Sequence, residues 1–297
     1  MPLTRSVRGM DPPAALDQDA AGRYVLSCRT IEGGYSFYRT PEWNVEEPNA
    51  LDTLSALESL RILGTEAPDP EGTSNWVRRL QDEDGSYPTL TIGWAAIRSC
   101  SLLETQPRCS PITWLRQWRE TVFAEQRERD RSGELHELLH FVDLARLTGL
   151  GLRAEELTAL TEMLERWRDP SGGWTAPSAD VDTTATALCL AKRSGLPLSR
   201  GSETETFVRS CEDAVLGLRL SSSGRATSVG ALLGGLTILR LLGRRPRYPE
   251  SIAMNLAMLQ NANGGLGARH HAISTLQHTW QGLEASRLLH DLKEGRP

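Results

Sequence analysis

The stretch Gly172-Gly173-Trp174-Thr175-Ala176-Pro177-Ser178-Ala179-Asp180-Val181-Asp182-Thr183-Thr184-Ala185-Thr186-Ala187-Leu188 reads as a glycine loop running into a helix. Gly172 and Gly173 permit a sharp reversal of the chain. From Val181 onward small and apolar residues continue without a breaker, the pattern of a helix buried on several sides. Two acids, Asp180 and Asp182, stand at the start of that helix, where a carboxylate either caps backbone N–H groups or does chemistry. Asp182 is the candidate Brønsted acid, facing an apolar cavity that the rest of the chain must supply.

Outward from this stretch the same pattern recurs. A charged amphipathic helix, a glycine loop and a small-residue helix form a unit, and six units follow one another. The marker glycines are Gly34, Gly85, Gly133, Gly173, Gly224 and Gly265, spaced 40 to 51 residues apart, as expected of helix-pair repeats. The second helices begin near Leu51, Ile92, Glu137, Asp182, Ala231 and His278. Uniformly apolar inner helices and divergent repeats favour closure over an open solenoid. The expected fold is all-α, a single (α/α)6 toroid over residues 22–290, with an N-terminal arm at 1–21 and a tail at 291–297. Aligned on their Leu-Leu-Gly-like ends, the second helices place Asp52, Ile92, Glu137, Asp182, Ala231 and His278 at one level around a central cavity.

Composition bounds the function. The chain has 297 residues, a net charge of −5 and only two lysines, Lys192 and Lys293, which argues against nucleic acid as a partner. The five cysteines form no C-x-x-C pair, so no zinc ribbon or redox motif is expected, and the odd count fits reduced thiols in a cytoplasmic protein. The first residues lack the apolar core of a signal peptide, and no apolar run reaches the ~18 residues of a membrane span.

With the repeats and the acids together, a family resemblance emerges. The Gly-Gly-aromatic loops and Thr-x-x-Ala-Leu helices resemble the prenyltransferase and squalene-oxidase repeat, and Leu259-Gln260 through Gly264-Gly265 to Thr279-Trp280-Gln281 resembles that family's Gln-Trp elements. Asp180 to Ala185 is similar to the D-x-D-D-T-A motif of squalene–hopene and class II diterpene cyclases, and closer to a D-x-D-T-T variant of bacterial class II terpene cyclases. The resemblance implies a protonation-initiated cyclase acting on a polyprenyl small molecule, either a prenyl diphosphate or a prenylated compound. Asp182 would be the donor and Asp180 its supporting carboxyl, with Thr183 where the commoner motif has a third Asp.

An alkene is a very weak base, so its proton donor must be a neutral, desolvated carboxylic acid. Burial and a neighbouring carboxylate both raise a carboxyl pKa, while the helix N-terminus lowers it. His278, Thr183 and Thr184 are candidates to orient the acid, against a plain core role for His278. A carbocation needs aromatic faces. Tyr35, Tyr87, Trp94, Phe141, Trp174 and Trp280 are candidates against simple packing, with Trp94 and Trp280 foremost. Asp52 and Glu137 complete the expected substrate-facing ring. No cofactor is required for protonation. If the substrate is a diphosphate, the acids Glu46-Glu47 or Asp82-Glu83-Asp84 could hold Mg²⁺, against simple solvation, and Arg225 or Arg269 could bind phosphate. His270-His271 could act at the cavity mouth. The rival readings are a protein-prenyltransferase β-like subunit, for which the D-x-C zinc element is missing while His136 and His140 lie four apart on one helix, and a non-catalytic toroid that binds lipid or a partner. The oligomeric state is open.

Overall fold

A computed structural model describes residues 15–37, 39–40, 45–124, 131–175, 178–198 and 200–296. Six helices form an inner ring: α2 (Ala50–Ile62), α4 (Leu90–Leu102), α6 (Arg131–Leu147), α8 (Val181–Arg193), α10 (Val229–Leu241) and α12 (Leu276–Glu294). Six others lie outside: α1 (Gln18–Ser27), α3 (Pro70–Arg79), α5 (Ile112–Ala124), α7 (Ala154–Arg166), α9 (Gly201–Cys211) and α11 (Pro249–Met258). Each inner helix packs on the next, and α12 packs on α2, so the ring closes. Each outer helix lies against the inner helix that follows it.

Local sequence explains the two layers. Outer helices bury a single stripe, as in α9, where Thr204, Phe207, Val208 and Cys211 follow helical spacing. Inner helices bury most of their surface, as α8 does from Thr183 through Leu188. Among the described residues, five inner helices start on a side-chain cap. Asn49, Thr89, Asp180, Ser228 and Thr275 accept the N–H of Asp52, Ile92, Thr183, Ala231 and His278, respectively. Each such cap contributes about 0.5–2 kcal/mol.

The glycine loops are the mortar between units. A side chain at the head of each of five loops reaches the short segment just ahead of the next outer helix. Arg29 grips Asp69, Gln81 exchanges bonds with Cys109, and Arg168 donates to the Arg200 carbonyl. Glu212 accepts from the Arg247 N–H, and Gln260 exchanges bonds with Asp17. The last of these closes the ring. Gly264 shows why glycine is needed there: its φ is +89°, and a Cβ would strike the Ala20 carbonyl of α1. Among the described residues, three two-stranded antiparallel pairs decorate the loops: β1 (Arg39–Thr40) with β2 (Val45–Glu46), β3 (Trp174–Thr175) with β4 (Ala179–Asp180), and β5 (Glu212–Asp213) with β6 (Gly217–Leu218).

Several expectations are revised. The first ring element is not an arm up to residue 21: α1 starts at Gln18, and Ala21 is fully buried. The C-terminal boundary also moves, because α12 runs to Glu294 with Leu292 buried. The loop glycine of unit five is Gly217, at φ +75° against Ile252, rather than Gly224. Gly133 lies within the span of α6, so it is no loop glycine.

Candidate active site

The Asp180-to-Thr184 run separates residue by residue. Asp180 is the N-cap of α8: its carboxylate accepts the Thr183 N–H and the Thr183 hydroxyl, both at 2.8 Å. Thr183 is buried and spent on that cap. Thr184 is fully buried and accepts the Trp174 N–H at 3.0 Å. Thr53 and Thr279 do the same for Tyr35 and Leu266 in their units, so in three units this threonine is the clip that holds the glycine loop to its inner helix. Asp182 alone is left without a structural bond at its carboxyl among the described residues.

The caps also correct the ring. Asp52, Ile92, Ala231 and His278 stand three residues after their caps, and so does Thr183, not Asp182. Asp182 is one residue earlier, level with Leu51, Thr91, Gly230 and Gln277. Leu51 and Gln277 line the central bore, whereas Asp52 is buried behind it. Asp52 accepts from Asn49 and from the Phe37 N–H, and burial raises its pKa against those two bonds. It is therefore a folded-in structural acid rather than a substrate contact.

Asp182 is exposed, open to the space at the start of the inner helices. Protein nevertheless surrounds it closely enough for desolvation to raise its pKa. The positive field of His136 opposes that rise and the Asp180 carboxylate adds to it. His136 is thus the electrostatic neighbour of the acid. His278 is not: its ring bonds to Thr275 at the start of its own helix, and burial lowers its pKa.

The bore beside this level has a volume of about 260 Å³. Its wall includes Leu51, Leu54, Trp94 and Trp280, and its far end meets Glu58, Arg98, Arg193 and Glu284. Trp94 is fixed by a bond to Asp143 and by stacking on His140 at 4.0 Å. The His140 pKa is pushed down to about 4, chiefly by burial, which keeps this ring neutral. A larger hollow of about 500 Å³ lies elsewhere, around the 105–112 connection, and no acid lines it.

The other aromatic candidates are core residues. Tyr35 and Phe141 are fully buried. Tyr87 packs against Trp114, and Trp174 donates to the Leu164 carbonyl beneath an Arg168 guanidinium. Tyr35 and Trp174 tuck between the layers with their own N–H groups clipped by the inner-helix threonines Thr53 and Thr184. Glu137 is exposed on α6, and Arg225 and Arg269 are exposed on loops. His270 and His271 stack on each other on the loop ahead of α12. The loop acids serve local structure: Glu46 accepts the Ile31 N–H, Asp84 the Ser86 N–H, and Glu83 pairs with Arg108. Among the described residues no group of three or more His, Cys, Asp and Glu is placed to hold a metal ion. Among the described residues no helix is long and apolar enough to cross a membrane.

The charged floor of the bore went unseen in the sequence. Glu58 pairs with Arg98, Arg98 with Asp143 and Asp143 with Arg193, linking α2, α4, α6 and α8. Arg240, Asp291, Arg287 and Glu284 continue the belt on α10 and α12. Its signal was present as single charges recurring deep in otherwise apolar helices.

The architecture has known counterparts. A family model described as the prenyltransferase alpha-alpha toroid domain matches residues 11–103. Among curated proteins no sequence matches. Candida albicans protein geranylgeranyltransferase-I, complexed with GGPP, superposes with a TM-score of 0.69 at 12% identity, over 95% of this chain and 93% of that one. The type II terpene cyclase MstE from Scytonema superposes with a TM-score of 0.55 at 11% identity, over 93% and 97%. A variant of it in complex with the product merosterolic acid A gives 0.54 at 12%, over 93% and 96%. At these identities the likeness establishes architecture. The closed double ring identifies the chain as an α/α toroid, and its residues 11–103 match the model of the prenyltransferase alpha-alpha toroid domain.

Proposed function

We propose that the protein is a class II terpene cyclase, in which Asp182 protonates an alkene of a prenyl substrate, a neighbouring double bond attacks the resulting carbocation to close a ring, and the cyclised cation loses a proton to give an isomer of the substrate. One observation carries this reading. In the Asp180–Thr184 run every other polar side chain is committed to the fold, and the free one is an acid of raised pKa, in helical register with Leu51 and Gln277 of a tryptophan-walled bore.

The chemistry follows from the surroundings. The nearby Asp180 carboxyl makes ionisation of Asp182 harder. Asp182 is open to water in the unliganded chain, so a bound prenyl group must complete its desolvation. Trp94 and Trp280 offer faces to a cation, each worth about 0.5–2 kcal/mol. The protonation step needs no cofactor. The solved toroids that hold GGPP or merosterolic acid A agree with a prenyl ligand for such a bore.

The test is incubation of the purified protein with prenyl diphosphates and prenylated aromatics, followed by mass spectrometry. A ring-containing isomer of the substrate, of unchanged mass, supports the reading. A prenylated thiol peptide formed from the same diphosphates, with no isomer, replaces it with prenyl transfer.

A further inference from the structure

The bore ends in charge, and its depth follows from helix geometry. Leu51 to Glu58 and Gln277 to Glu284 are each seven residues apart, and both pairs line the bore. Seven residues of helix rise about 10 Å. Asp182 shares the upper level with Leu51 and Gln277. At the lower level Glu58 and Asp143 are almost fully buried and are tied to Arg98 and Arg193. Separating those charges would leave buried carboxylates without partners, at a cost an apolar chain cannot offset. The belt is therefore a floor and not a gate.

We propose that this belt of ion pairs limits the substrate to a prenyl arm of about two isoprene units between Asp182 and the floor. An isoprene unit adds four chain bonds, against three for an amino-acid residue that spans ~3.5 Å when extended. One unit is thus about 4.5–5 Å long, and about two fill the bore. The proposal rests on the prenyl-binding reading above, but not on catalysis. With the reacting alkene at Asp182, the other end of the arm lies beside Arg98 and Arg193, whose side chains are 27% and 32% exposed. Both are already balanced by acids, so the end they face is a hydrogen-bond acceptor rather than a multiply charged group.

The experiment is a binding ladder on the intact protein. Prenyl alcohols of one, two, three and four isoprene units are titrated while tryptophan fluorescence is followed, with Trp94→Phe and Trp280→Phe locating the response. Affinity is expected to rise about tenfold or more from one unit to two, since each buried carbon adds favourable transfer energy, and then to stay level or fall. Affinity that keeps climbing through three and four units overturns the length limit while leaving prenyl binding intact. No response at any length overturns the prenyl-binding reading itself, and the length limit with it. The double variant Glu58→Gln/Arg98→Met, neutral and close in size, is expected to move the optimum to three units. An optimum that stays at two in the folded variant shows that the belt is not the floor. If the variant does not fold, the ladder on the intact protein decides.

Discussion

At the residue scale, Asp182 is defined by what it does not do. Asp180, Thr183 and Thr184 hold the fold, and Asp182 makes no side-chain bond among the described residues. Asp182→Asn should lower turnover by about 10²–10⁴-fold, the usual worth of a general acid, while changing stability by no more than about 0.5 kcal/mol, as at an unconstrained surface site. Kinetics and urea unfolding on one preparation separate the two. The pH profile follows in sign. The acid must be protonated to donate, and its pKa lies above the ordinary carboxylate range. Activity is therefore highest below that pKa and declines as pH rises through it. Because the folded chain holds this proton more tightly than the unfolded one, the group's contribution to stability is full below its unfolded pKa and is lost as pH rises through the folded pKa. The field of His136 opposes the rise in the Asp182 pKa. Measured as pH–rate profiles, His136→Gln should shift the alkaline decline to higher pH.

At the element scale, α2, α8 and α12 are each anchored by a cap and a clip. Asp180→Ala removes both bonds to Thr183 and should cost about 0.5–2 kcal/mol in urea unfolding. Gly264→Ala should cost about 2 kcal/mol or more, because it adds a left-handed L-residue and a clash with α1 at the closing seam. How much of this was legible depended on period. Six apolar helices with glycine loops are plain in the sequence because burial on several faces leaves long unbroken runs of small residues. A one-residue register is not plain. Alignment on helix ends put Asp182 level with Asp52, whereas Asp180 shows itself as the cap only when its bonds to Thr183 are seen. The aromatic candidates divided for a related reason. Tyr35 and Trp174 follow glycine turns and are drawn between the layers by the threonine clip, whereas Trp94 and Trp280 stand on the inner helices themselves.

At the scale of the whole molecule, the toroid is closed by its own beginning. The Asp17 N–H and carbonyl are both held by Gln260, so α1 completes the outer ring against α12. Removing residues 1–27 should expose the faces of α2 and α12 and broaden the unfolding transition, seen as a lower denaturant slope. Charge placement also belongs to this scale. Glu58, Arg98, Asp143 and Arg193 are far apart in sequence, and only closure of the ring makes them one belt. That long-range pairing is why the sequence showed the walls of the bore but not its floor. The central claim is proton transfer from Asp182 to carbon, and turnover in D₂O tests it most directly. With a prenyl substrate that is converted, a cyclic product carrying one deuterium on a carbon of the protonated alkene is expected, and no such product from Asp182→Asn. A cyclic product without deuterium, or undiminished labelling in Asp182→Asn, would contradict it.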